Sequence, residues 1–136
     1  MEIFDKLLVK LPAPLKPRRL WTLVEERRQE VKVHARMVEV CAATLQAATL
    51  QGDEGAAQVA YGMGEKLRCD SPQKMGALAA VEEAVAIEPP SAGRPRNTSN
   101  PAASKSAGRR LFAAIHSLDM AQEHFRKWRA AAETES

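Results

Sequence analysis

The polar side chains best spaced for metal chemistry lie in the C-terminal quarter of the chain. Four potential ligands fall within nine positions of one predicted helix: His116, Asp119, Glu123 and His124. A di-metal helical bundle needs Glu-x-x-His elements and carboxylates on facing helices, and the chain has no Glu-x-x-His element. Cys41 and Cys69 are the only cysteines and form no CxxC motif. The sequence therefore predicts a solvated polar face, with no metal and no cofactor.

Nucleophilic catalysis and nucleotide binding also lack their usual motifs. No Gly-x-Ser-x-Gly element and no glycine-rich loop followed by Lys-Ser or Lys-Thr occurs. Glu82 and Glu83 are adjacent, and adjacent residues of a helix do not face one pocket. These patterns predict a non-enzymatic protein without a small-molecule substrate.

Two Arg-x5-His pairs offer a different chemistry. Arg110 and His116 lie a little under two turns apart on one helix, and Arg28 and His34 repeat the spacing. The first pair resembles the Arg-x(4–6)-His element of the HEPN ribonucleases, which are also helical bundles. The resemblance covers these two residues, and it implies that Arg110 would stabilise phosphate while His116 assists attack by a 2′-hydroxyl. An HEPN-like ribonuclease is the third hypothesis.

Arginine outnumbers lysine 12 to 8, and its planar fork matches phosphate oxygens. Basic side chains cluster before the long helix, in the linker and on the last helix. The candidate phosphate contacts are Arg18, Arg19, Arg94, Arg96, Arg109, Arg110, Arg126, Lys127 and Arg129. They suggest the alternative function, a helical module that binds a nucleic-acid backbone without reading sequence. The same charges could instead neutralise the acidic middle of the chain, within or between subunits.

The elements that position these residues are all predicted to be helical. Residues 2–11 form a short amphipathic helix that ends at Pro12, and the prolines after it favour an extended connector. A long helix spans about 17–50, and its apolar second half is expected to be the more buried. Gly52 ends this helix, and Asp53 can cap the next one.

Two helices, about 54–69 and 72–87, are predicted next, with Ser71 as the cap and Pro72 in the first turn of the second. Gly62 and Gly64 weaken the first of them, unless close approach of a neighbouring helix requires them. A flexible, proline- and serine-rich linker is predicted over about 88–107.

An amphipathic helix over about 108–132 closes the chain. Its apolar residues are spaced alternately three and four positions apart, which predicts a seam that packs against a helix of this chain or of a partner. The expected contact residues are Leu111, Leu118, Phe125 and Trp128.

The chain as a whole is predicted to be a single all-α domain over 1–136. A helical body (1–87), the linker and the last helix would form an elongated bundle of four to five helices. Alanine-rich segments and only 4% aromatic residues predict a thin core. The leading hypothesis is a structural or adaptor subunit of a larger assembly, such as a virus particle or nucleoprotein complex. It would bind a protein partner or itself.

The expected location is the cytoplasm, or a particle assembled inside cells. Asp5, Lys6 and Lys10 interrupt the apolar residues at the N-terminus, so no secretory signal is expected. No run of apolar residues is long enough for a transmembrane helix, and no membrane association is expected.

Overall fold

The computed structural model describes residues 17–87 and 101–135, and these residues form three long α-helices. They are α1 (Pro17–Gln51), α2 (Glu54–Ile87) and α3 (Pro101–Glu135). Each contains 34 or 35 residues and is therefore about 50 Å long. No strand occurs in these ranges. The predicted all-α class and the long helix are confirmed. The predicted helix over 2–11 lies outside the described residues.

A tight turn joins α1 to α2 and makes them antiparallel. Gly52 has a φ of 72°, a left-handed conformation that favours glycine. The amide of Gly52 donates to the Thr49 carbonyl over 3.1 Å, and that of Asp53 to the Ala48 carbonyl over 2.9 Å, as in a Schellman motif. Asp53 Oδ1 then accepts a hydrogen bond from the Ala56 amide, so both predicted end signals are confirmed.

The predicted break at Ser71 and Pro72 is wrong, because α2 runs through it without interruption. Pro72 is exposed, whereas Leu67 and Leu78 on either side of it are buried against the bundle. Ser71 does not cap a helix; its hydroxyl donates to the Leu67 carbonyl inside α2. Packing on both sides of Pro72 thus outweighs the backbone hydrogen bond that proline cannot donate.

The last helix begins at Pro101, seven residues earlier than predicted. Ala107 is buried, and Ser104 accepts a hydrogen bond from the buried Arg28 of α1. These contacts extend the helix into the second part of the predicted linker; residues 88–100 lie outside the described residues. The described part of the chain therefore contains three helices, and four to five are not confirmed.

The described core lies along α1, which packs against α2 on one side and α3 on the other. Val31, Val38 and Leu45 of α1 are fully buried, as is Leu118 of α3. Contacts between the helices show that α3 is parallel to α1, because Arg28 meets Ser104 and Gln46 meets His124. Helix α2 is antiparallel to both.

Helices α2 and α3 meet through a largely polar layer. Gln122 has no exposed surface, and its amide donates to Glu65 over 2.9 Å and to the Tyr61 carbonyl over 3.4 Å. Arg68 donates to Gln122 and to Asp119 from the opposite helix. Gly64, with Leu118 beside it, and Gly108, with Met75 beside it, let the two helices approach closely through apolar atoms.

Candidate helix-docking groove

An apolar groove lies between α1 and α2, and residues of α3 do not line it. On α1 it is lined by Met37, Val40 and Thr44, which are three and four residues apart and so lie along one face. On α2 it is lined by a similar stripe: Ala56, Val59, Met63 and Lys66. This α1–α2 groove is open to solvent and has a volume of about 840 Å³.

Large apolar side chains along this groove are unusually exposed. Val59 is 69% exposed and Met63 58% exposed on α2, while Met37 and Val40 are about half exposed on α1. Val33, four residues before Met37, extends the apolar face toward the start of α1 and is 57% exposed. A contiguous exposed apolar surface of this kind is typical of an interaction site.

The floor of the groove is closed by small side chains. The Cys41 thiol donates to the carbonyl oxygen of Ala60 over 3.1 Å, which brings the two helices close together there. Burial raises the pKa of this thiol, so it stays protonated and behaves as a small apolar group. Cys69 is exposed and does not line the groove.

Charged side chains stand at only one end of the groove. Arg36 of α1 and Lys66 and Asp70 of α2 line this end, whereas Thr44 and Ala56 line the other. A helix lying in the groove would therefore meet positive charge at one end, with one carboxylate beside it.

The sequence did not single out the groove residues. The apolar character of α1 after Met37 was visible, but it predicted burial. The second half of α1 does contain more buried residues than its described first half, as expected, but Met37, Val40 and Leu50 within it are exposed. The sequence feature that could have indicated this site is the presence of apolar side chains on several faces of α1.

The predicted contact residues of α3 are used inside the chain. Leu111, Leu118 and Phe125 are buried, and Trp128 packs partly buried against the same core. The ring of Phe125 lies 5.6 Å from that of Tyr61 and 5.9 Å from that of Trp128. This seam therefore packs in cis in the structure.

Four of the candidate phosphate contacts bind groups of the chain itself. Arg110 pairs with Glu39, and Lys127 with Glu123. Arg126 donates to the Tyr61 hydroxyl over 2.7 Å and lies over its ring. Arg129 lies 3.6 Å from Glu54 and also donates to Gln58.

The remaining phosphate candidates are not brought together in the described part of the chain. Arg109 is exposed at the start of α3. Arg94 and Arg96 lie outside the described residues, as do the side chains of Arg18 and Arg19.

Neither Arg-x5-His pair lies in the groove. His116 is exposed on α3, and the guanidinium of Arg110 is held by Glu39. Arg28 and His34 are buried; Arg28 donates to Ser104 over 2.7 Å, and His34 Nε2 lies 2.9 Å from the Leu67 carbonyl oxygen. Both of these buried residues join helices rather than face solvent.

Within 17–87 and 101–135, no group of three His, Cys, Asp or Glu residues is placed to hold a metal ion. None of the three helices combines the length and apolarity needed to cross a bilayer.

The carboxylate of Glu39 provides a pH-dependent reporter of α1–α3 docking. Two hydrogen bonds from Arg110, 3.1 and 3.4 Å long, lower the pKa of Glu39, and Arg36 nearby adds to the effect. We expect Arg110→Gln to raise this pKa toward its ordinary value, as measured by an NMR titration of the glutamate side chains. The stabilisation is present above the unfolded-state pKa and is lost as the pH falls through the lowered folded-state pKa.

Arg109→Gln is the matched control, because adjacent helical positions point about 100° apart. It should leave the pKa of Glu39 unchanged. An equal shift in both variants would show that general surface charge, and not the pair, sets this pKa.

Comparison with protein-family models, curated proteins and solved structures finds no match for this chain. The fold and the site therefore define its class by geometry alone: an all-α protein whose described residues form three long helices with an open apolar groove.

Proposed function

We propose that this protein is a non-enzymatic structural or adaptor subunit that acts through helix–helix docking. The observation that carries the proposal is the α1–α2 groove, with Val59 and Met63 more than half exposed on one wall. An amphipathic helix with apolar residues at positions i, i+3 or i+4, and i+7 would fill it, as in other helix-in-groove complexes.

The charges at the groove define the chemistry of the partner helix. Arg36 and Lys66 at one end favour a helix with acidic side chains there, and the apolar remainder favours leucine-like side chains. The apolar groups supply the affinity, and the charges set the direction in which the helix lies. Assembly through such a surface needs no catalytic residue.

Binding to a nucleic-acid backbone, the alternative, has less support. Arg110, Arg126, Lys127 and Arg129 are each engaged by a neighbouring side chain, so phosphate would have to displace those contacts. The alternative predicts affinity for DNA or RNA that falls steeply as salt rises.

The test of the docking function compares three full-length baits in cells where the chain occurs naturally. The baits are the wild type, Val59→Glu in the groove and Phe112→Glu on α3, and both substituted side chains are exposed, so the fold tolerates either change. We expect proteins captured by the wild type to be retained by Phe112→Glu and lost with Val59→Glu. Quantitative mass spectrometry measures the difference.

Two results would count against the proposal. The same proteins could be captured by all three baits, or the wild type could capture none. Circular dichroism of each bait confirms that the variants remain helical.

A further inference from the structure

We infer that the α1–α2 groove packs against the same groove of a second copy of this chain. The second copy runs in the opposite direction, so that the α1–α2 hairpins of the two copies form an antiparallel four-helix bundle. The inference rests on the proposed docking function and names the partner. Residues of α3 do not line the groove, so this face of the hairpin is open to a second copy.

The exposed stripe of α2 is complementary to itself when its direction is reversed. Five exposed residues lie along it at spacings of three, three, four and three positions: Asp53, Ala56, Val59, Met63 and Lys66. In an antiparallel pair centred beside Val59, Lys66 lies opposite Asp53 of the second copy, and Met63 lies opposite Ala56. A base therefore meets an acid, a large side chain meets a small one, and Val59 meets its own counterpart.

The exposed stripe of α1 has its centre of symmetry at the same level. Six exposed residues lie along it at alternating spacings of four and three positions: Val33, Met37, Val40, Thr44, Ala47 and Gln51. Reversed about residue 42, this stripe pairs Met37 with Ala47 of the second copy, again a large side chain with a small one. The hydrogen bond from Cys41 to the Ala60 carbonyl places the centres of the two stripes side by side. One two-fold axis therefore serves both helices.

The basic side chains at one end of the groove determine the direction of the second copy. In a parallel pair, Arg36 and Lys66 of both copies would meet at the same end, with only the carboxylate of Asp70 from each copy beside them. Like charges brought together in this way oppose association. In the antiparallel pair, the two Lys66 residues are about 20 Å apart, beyond the screening length of about 8 Å at physiological salt. Each of them lies near Asp53 of the other copy.

The face is large enough for a specific dimer that dissociates on dilution. From Val33 to Gln51 it extends about 27 Å along the helices, and two adjacent helices are about 20 Å wide. Two copies would bury about 1,100 Å² in total, which is near the lower limit for a specific interface. Val59 and Met63, which are 69% and 58% exposed, would supply much of the apolar burial.

The first test is the mass of the purified full-length chain, measured by sedimentation equilibrium from about 1 μM to about 1 mM. We expect a monomer–dimer equilibrium in the wild type and in Phe112→Glu, because Phe112 lies on α3 outside the groove. Val59→Glu places two carboxylates side by side at the two-fold axis, so its dimer dissociation constant should rise at least about tenfold. Both substituted side chains are exposed, and circular dichroism checks that each variant remains helical.

The second test determines the direction of the second copy. Two variants carry either Val59→Cys or Lys66→Cys, and in both of them Cys69→Ser removes the exposed native thiol. Oxidised glutathione joins two thiols as a disulfide only if their Cα atoms come within about 7 Å. Val59→Cys should form disulfide-linked dimers on a non-reducing gel, whereas Lys66→Cys, about 20 Å from its counterpart, should not.

Three results would overturn the inference. The wild type could remain a monomer at every concentration, or Val59→Glu could dimerise as tightly as the wild type. Disulfide-linked dimers from Lys66→Cys and none from Val59→Cys would show that the two copies are parallel.

The docking function can survive the failure of this inference. A monomeric chain that captures other proteins, and loses them with Val59→Glu, would end the inference and leave the docking function in place. A wild type that is monomeric and captures no protein would overturn both. A dimer that is lost in Val59→Glu and retained in Phe112→Glu would support both.

Discussion

Replacing Leu118 with alanine is expected to lower the free energy of unfolding by about 2–5 kcal/mol. Leu118 has no exposed surface and lies at the centre of the α3 seam, next to Gly64 of α2. Removal of its side chain loses apolar burial and leaves a cavity between the helices. Urea unfolding followed by circular dichroism measures the change.

Phe112→Ala is the control on the same helix. Phe112 is larger than Leu118 but 77% exposed, so its loss should change the stability by no more than about 0.5 kcal/mol. The unfolding midpoint of the Val59→Glu protein, in which pairing through the groove is disfavoured, should not depend on protein concentration if the seam packs in cis. A midpoint that rises with concentration would show instead that Leu118 is buried by a second chain.

Gly64→Val is expected to destabilise the protein by about 1–3 kcal/mol, because α2 and α3 approach closely there. A Cβ at position 64 would lie 2.7 Å from Leu118 Cδ1 and 3.3 Å from Gln122 Nε2. Both neighbours are fully buried, so the new side chain must push the helices apart or force Leu118 into a poor rotamer. Thermal unfolding followed by circular dichroism measures the loss.

The matched control is Gly62→Ala, two residues earlier in α2. No atom lies within 4 Å of a Cβ built there, and Gly62 is exposed. Alanine should therefore stabilise the helix by up to about 1 kcal/mol. A Gly64→Val protein as stable as the wild type would contradict the close helix approach.

These two glycines show what could and could not be predicted from the sequence. Both were expected to weaken the helix unless a close helix approach required them, and the structure shows such an approach at Gly64 but not at Gly62. The ends of α1 were predicted well because Pro17 and Gly52 act through local backbone chemistry. A contact between distant helices has no comparable local signal.

The errors at Pro72 and Pro101 have a common physical cause. Proline suggests a helix boundary from local sequence, but burial of Leu67 and Leu78 carries α2 through Pro72. At the start of α3, the hydrogen bond from Arg28 to Ser104 supports a turn whose small residues carry no periodic pattern. Tertiary contacts decided both cases.

The groove could not be predicted from the sequence, because here tertiary contacts that the apolar residues suggest are missing. An apolar residue predicts burial, and nothing local tells whether another helix will cover it. Val40 and Val59 have the composition of a core but lie on a surface that α3 does not reach. The α3 seam, by contrast, was visible because its pattern is regular over the whole helix.

The central position of α1 has a consequence for how the bundle opens. Helix α1 makes the apolar contacts with both α2 and α3, so its separation would expose the described core. The polar layer between α2 and α3 resists separation less. Two residues connect α1 to α2, whereas thirteen separate α2 from α3 in the sequence, and the entropic cost of closing a connection rises with its length. Local fluctuations should therefore release α3 first and leave the hairpin closed by Gly52 and Asp53. The groove is built entirely on that hairpin, so the surface proposed for docking belongs to the last part of the molecule to come apart.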